Sequence, residues 1–233
     1  MNISFINTPE KMYFCKMLNK NNSIYWGFLS PSDERLNTAL VKIEVSIEQH
    51  QQLLSGGYIV YYDGEIFNAD SRQYYLDENF DFQKISDLEY NQIIANETKK
   101  ALIQKLYELK AEKAYGGIII NDLYIFETNE TARTNVVATL GSMADGDVSH
   151  WKFWTKDGVP IMQIVTKAQL FGISSFGRQM IDDCFKVEGQ YLATLENATV
   201  EELISKTWVE TFENNAKTAF NNINNHLNIS FSE

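Results

Sequence analysis

The chain is poor in the residues that carry covalent or metal chemistry. It has two cysteines, three histidines and four arginines in 233 residues. Cys15 and Cys184 are too few for a disulfide framework and are expected as free thiols of a reducing compartment. Cys184 falls on an apolar helical stripe and is expected in a core, whereas Cys15, between Phe14 and Lys16, is expected to be more open. His50, His150 and His226 stand apart, with no second ligand at a metal-binding spacing. Proline is scarce, at three residues, and no long Ser/Gly tract occurs, which argues against an extended flexible linker. No run approaches the ~18 apolar residues of a membrane span. No basic segment followed by an apolar run opens the chain, so no secretory signal is expected.

Other signatures are missing too. No glycine-rich loop follows a strand in the way that cradles phosphate. Asp182 and Asp183 are adjacent on a helical pattern and point about 100° apart, and Asp145-Gly146-Asp147 reads as a turn, not a calcium loop. The arginines are not interleaved with aromatics as in a single-strand stacking platform. The 31 acidic residues outnumber the 20 basic ones, for a net charge of −11, opposite to the footprint that phosphate neutralisation demands. The expectation is a chain with no enzymatic activity, cofactor or metal, and with neither a nucleic-acid nor a membrane partner.

What is present is an ordinary globular composition, 44% hydrophobic and 13% aromatic. A globule of this length buries roughly 70% of its unfolded surface and needs no staples. Residues 1–85 read as a small β-rich module. Ala39–Val45 alternates as a half-buried strand, and Ser46-Ile-Glu-Gln49 caps a short helix that stops at Gly56-Gly57. Tyr58–Tyr62 turns at Asp63-Gly64 into a second strand, a strong hairpin signal. Residues 68–85 read as irregular edge.

Ser86-Asp-Leu-Glu89 opens a long connecting helix over residues 86–114. Leu88, Ala95, Leu102 and Leu109 recur every seven residues there, the buried face of a connector or a seam for self-association. Residues 115–233 read as a domain of two hairpins with helices. With Asn121-Asp122 as a two-residue turn, Ile118, Ile120, Leu123 and Ile125 share one side, and Ile119 and Tyr124 the other. A helix follows from about Asn129 to Met143. With Asp157-Gly158 as the second turn, Trp151, Phe153, Met162 and Ile164 form a core face, leaving Trp154 and Ile161 on the reverse. Thr166-Lys-Ala-Gln169 starts a helix with the stripe Ile173, Phe176, Met180, Cys184, Val187 and Tyr191. Thr199-Val-Glu-Glu202 precedes an Asn-rich terminal helix whose stripe runs Trp208, Phe212, Ala216, Phe220, Ile223, Leu227. The fold class expected is α+β.

Two short patterns carry a family resemblance. Gly117, Asn121-Asp122, Phe126, Thr128, Glu130, Arg133 and Asn135, followed by Trp154-Thr155-Lys156-Asp157-Gly158 and a helix opened by Thr166, resemble a domain of unknown function found in tailed-phage proteins. Ser46-Ile-Glu-Gln-His50, Leu53-Leu54 and Gly56, set between a strand and a turn, resemble the N-terminal module of phage tail-fibre assembly proteins. Together these resemblances span about residues 24–195. They imply a non-catalytic assembly chaperone that binds a tail-fibre protein in the host bacterial cytoplasm, or alternatively a minor structural subunit retained on the virion tail. Sparse prolines and the long Asn-rich C-terminal helix depart from the assembly-protein pattern. The family supplies no functional residues to carry over. The residues expected to contact a partner, read from the chain itself, are Trp26, Tyr124, Trp154, Ile161 and Trp208.

Overall fold

In the computed structural model, which describes residues 11–231, the chain divides at Ile93/Ile94 into two compact units. The fold is α+β.

The first unit begins with β1 (Lys11–Leu18) and β2 (Ile24–Leu29), then β3 (Val41–Ser46), in a three-stranded antiparallel sheet with β1 in the centre. Being central, β1 buries both of its faces. Phe14 points into an aromatic cluster and Cys15 into a second one with Met17 and Leu29. Cys15 is therefore fully buried, contrary to the open position expected for it. Its neighbour Lys16 is also buried and reaches Asp81 at 2.6 Å. Ser46 accepts the Gln49 N–H and starts α1 (Ile47–Ser55), which ends at Gly56.

β4 (Tyr58–Tyr62) and β5 (Glu65–Ala69) pair with Tyr62 opposite Glu65, so Asp63-Gly64 is a two-residue turn. Both of its residues are left-handed, at φ 51° and 83°, the geometry that matches strand twist. The stretch expected as irregular edge forms a further hairpin, β6 (Tyr74–Leu76) and β7 (Phe82–Lys84), whose Tyr74 and Phe82 enter the aromatic core.

Helix α2 (Asp87–Tyr115) is opened by a reciprocal cap between Ser86 and Glu89. Its heptad seam is used inside the chain. Ala95, Leu102 and Leu106 are buried in the second unit's helical core, while Leu88 stands 78% exposed.

The second unit continues with β8 (Ile118–Ile120), β9 (Tyr124–Phe126), α3 (Glu130–Ser142), β10 (Val148–Thr155), β11 (Pro160–Thr166), α4 (Lys167–Asn197), α5 (Val200–Ile204), α6 (Lys206–Asn221) and β12 (His226–Leu227). Its sheet has the order β11-β10-β9-β8-β12. The first half of α4 packs Leu170 and Ile173 on that sheet, and its second half packs Met180, Cys184 and Leu195 against the other helices. Gly177 explains the close approach, because a Cβ there would lie 3.1 Å from Ile118 Cδ1.

Both hairpins depart from the expected register by one residue. At the first, Asn121 and Asp122 do form the left-handed turn, closed by the Leu123 N–H on the Ile120 carbonyl. The ladder then pairs Ile120 with Tyr124, leaving Leu123 as an extra, exposed residue. At the second, Gly158 alone is left-handed, the Gly158 N–H donates to the Thr155 carbonyl, and the Thr155 N–H donates to the Val159 carbonyl. The loop is thus three residues long, a tight turn ending in a left-handed glycine.

A one-residue shift moves a strand's side chains to the opposite face. Tyr124 and Ile161, expected on the reverse side, accordingly face the core beside Phe153, while Met162 and Ile164, expected in the core, are 57% and 49% exposed.

The C-terminal segment also differs. Ser205 interrupts the helical run between α5 and α6, and the helix ends at Asn221. Leu227, expected on the helical stripe, lies in a strand parallel to β8. Asparagine makes this possible. The Asn121 amide accepts from the Ile229 N–H at 2.8 Å and donates to the Ile229 carbonyl at 2.7 Å, and Asn225 donates to the Gly117 carbonyl. Phe231 follows and meets Tyr124 and Phe153 edge to face.

Candidate functional site

The five residues expected to contact a partner fall in separate places. Trp26 is an anchor of the first unit: its ring stacks on Phe14 at 5.0 Å and its indole N–H donates to the Phe80 carbonyl at 2.8 Å. Trp208 stacks on Phe212 at 5.4 Å, at the margin of the helical core. Tyr124 and Ile161 line the inner face of the sheet. Trp154 is the one of the five on the sheet's outer face.

That outer face is the best candidate surface. The strand registers place Pro160, Trp154, Ile125, Ile119 and His226 in one row across all five strands. Beside it run the pairs Lys152–Met162 and His150–Ile164. Val148, Met162 and Ile164 are each about half exposed or more, which concentrates uncovered apolar surface on the outer face of β10 and β11. Lys152 places its ammonium 4.5 Å from the Trp154 ring centroid, a cation–π contact that also shields one side of the indole. Among the described residues the Trp154 Nε1 is buried without a hydrogen-bond partner. An unsatisfied buried donor costs about 1–3 kcal/mol, so this tryptophan is placed at some expense to folding. Trp151 Nε1, on the opposite face, is in the same state.

A second concavity, a groove of about 380 Å³, lies between α3 and α4. Its floor is Ile118, Phe126, Val136 and Ile173, and its rim carries Arg133, Arg178 and Asp182. Arg133 sits over the Tyr115 ring at 5.7 Å.

The thiols offer no nucleophile. Burial pushes both Cys15 and Cys184 up, away from the thiolate form at neutral pH. Burial pushes Lys113 down, and its ammonium donates to Asn225 at 3.0 Å. Lys110 pairs at 2.7 Å with Glu188, whose side chain is 9% exposed. The contact has the distance of an ion pair without the direction of a hydrogen bond, because among the described residues Glu188 Oε1 has no such partner. Lys110 and Lys113 thus belong to the half-buried side of α2.

Among the described residues no group of three His, Cys, Asp or Glu side chains is placed to hold a metal ion, and no helix is long and apolar enough to cross a membrane. No family model, no curated protein and no solved structure matches the chain. The chemistry of its own surface therefore carries the functional argument.

The sequence reading found Trp154 and missed Met162 and Ile164. The signal for them was the Thr155 hydroxyl, which accepts the Val159 N–H at 3.1 Å and supports the wider loop.

Proposed function

We propose that this protein is a non-catalytic phage tail-fibre assembly chaperone. It binds a fibre chain in the host bacterial cytoplasm and assists its folding or trimerisation. A fibre protomer exposes unpaired strand edges and apolar surface until its partners arrive, and a factor that protects it must offer complementary apolar surface. The observation that carries the reading is the uncovered outer face of the five-stranded sheet, where Met162 and Ile164 lie on an edge strand and Trp154 on the strand beside it. The residues behind the tailed-phage resemblance support it, since Gly117–Phe126 and Trp154–Thr166 build that same sheet. Met162→Glu with Ile164→Glu charges this face without touching the core side. Co-expression with a cognate tail-fibre chain is expected to yield soluble trimer with the native chain and several-fold less with the double variant. Equal yields with the native chain, the variant and no chaperone would reject the proposal.

A further inference from the structure

Among the described residues β11 is an edge strand, hydrogen-bonded only to β10. Sheets commonly blunt such edges with charge, proline or a bulge. Here Pro160 begins the strand, and no charged residue occurs from Pro160 to Thr166.

The hairpin closure tells which backbone groups are free. The Thr155 N–H bonds to Val159, and hydrogen-bonded pairs alternate along an antiparallel ladder. Ile161, Gln163 and Val165 therefore point their N–H and C=O groups at β10, opposite Phe153, Trp151 and Ser149. Met162 and Ile164 point theirs outward. These two residues are symmetric about Gln163. The next outward pair is Pro160, which has no N–H, and Thr166, whose N–H already donates to Gln169 Oε1 at 2.7 Å. The free hydrogen-bonding pattern of the edge is thus its own complement.

We propose that β11 pairs antiparallel with β11 of a second copy, about a two-fold axis at Gln163. Met162 of each copy then exchanges both backbone hydrogen bonds with Ile164 of the other, and Gln163 faces Gln163 in the unbonded position. The side chains of Met162 and Ile164 meet on the outer face and cover one another, which extends the two sheets into one. Pro160 and the committed Thr166 N–H end the pairing on either side. A seam this short lies at the weak end of specific interfaces, so the dimer is concentration-dependent. Because each chain carries a net charge of −11, raising the salt to physiological strength tightens it. The dimer needs no tail fibre, but Met162 and Ile164 belong to both surfaces, so a fibre chain and a second copy compete for them.

Sedimentation of the full chain over a concentration series measures the dimer directly. Ile164→Pro removes one outward N–H from each copy while leaving the bonds to β10, and Met162→Lys keeps the backbone but places charge on the seam. Each is expected to weaken dimerisation about 10- to 100-fold, with near-ultraviolet circular dichroism confirming that both remain folded. Gln163→Cys provides a third measurement that does not depend on losing anything. An unbonded antiparallel pair lies within disulfide reach, so mild oxidation should link two copies through position 163, whereas Glu201→Cys, on α5, should not link. A chain that stays monomeric throughout the series overturns the proposal. So does a dimer that both variants leave intact, or one that Gln163→Cys fails to cross-link, because the interface then lies elsewhere.

Discussion

Residues 11–93 bury a small, aromatic interior, in which Phe14, Tyr74 and Phe82 are the large buried rings and Trp26 and Phe28 complete the cluster. Residues 94–231 bury two larger aliphatic-rich cores, one among α2, α4, α5 and α6 and one between the sheet and α4. The first unit also ties its turns with exposed carboxylates. Asp33 bonds Arg35, Asp70 bonds Arg72, and Asp77 and Glu89 accept from nearby backbone and side chains. The second unit has fewer such turns and relies on long-range packing. The lesson is that local polar bonds suffice to shape short hairpins, but a sheet assembled from distant segments needs a core to hold it. The candidate surface sits on the second kind of structure.

The largest test of that contrast is Phe153→Ala. This ring is fully buried at the meeting of Tyr124, Phe126 and Phe231. Its removal should cost about 3–5 kcal/mol. Hydrogen exchange is expected to show lost protection across 94–231 and unchanged protection in 11–93; equal losses in both would break the comparison.

Asn121→Gly should have a smaller effect. Glycine keeps the left-handed backbone at this position, where φ is 54°, and removes only the amide that clamps Ile229. The expected cost is about 1–3 kcal/mol, seen as faster exchange over residues 224–231. Unchanged exchange there would mean that the strand pairing of β12 holds the segment without the amide.

The smallest effect concerns acid. Arg35 beside Asp33 holds that carboxyl down to about 2, and Arg72 holds Asp70 well below the usual range. Glu44, Asp77, Asp87 and Glu89 are also lowered, by Lys11, the Asp81 backbone, Lys84 and Ser86 respectively. In the second unit Asp183 is lowered in this way, by Lys186. A folded-state value below the unfolded one stabilises fully above about pH 4 and is lost as pH falls through the folded value. Acidification from pH 4 toward 2 should therefore lower the melting temperature of the first unit more than that of the second. These groups are exposed, so the difference is small; a larger loss in the second unit would contradict the assignment.

How much of the candidate site was legible follows from the same division. Trp154 was readable as an outward residue, because its position on β10 does not depend on the loop that follows. Met162 and Ile164 were not, because their side depends on whether the chain turns in two residues or three. Asp63-Gly64 and Asp157-Gly158 are the same dipeptide, yet one fills a two-residue turn and the other ends a three-residue loop. In the second case the Thr155 hydroxyl and the burial of Phe153 and Val165 select the wider loop.

By itself the sequence determined the α+β class, the helix starts at Ser46, Ser86, Thr166 and Thr199, the turn at Asp63-Gly64 and the buried stripe of α4. Each of these rests on contacts within about one helical turn or on a periodicity that the chain carries along its own length. Tertiary structure decided the burial of Cys15, the faces of Tyr124, Ile161, Met162 and Ile164, and the strand at His226–Leu227. Those depend on which distant strand lies alongside, and a strand edge gains its hydrogen bonds only from a neighbour that the local sequence does not specify.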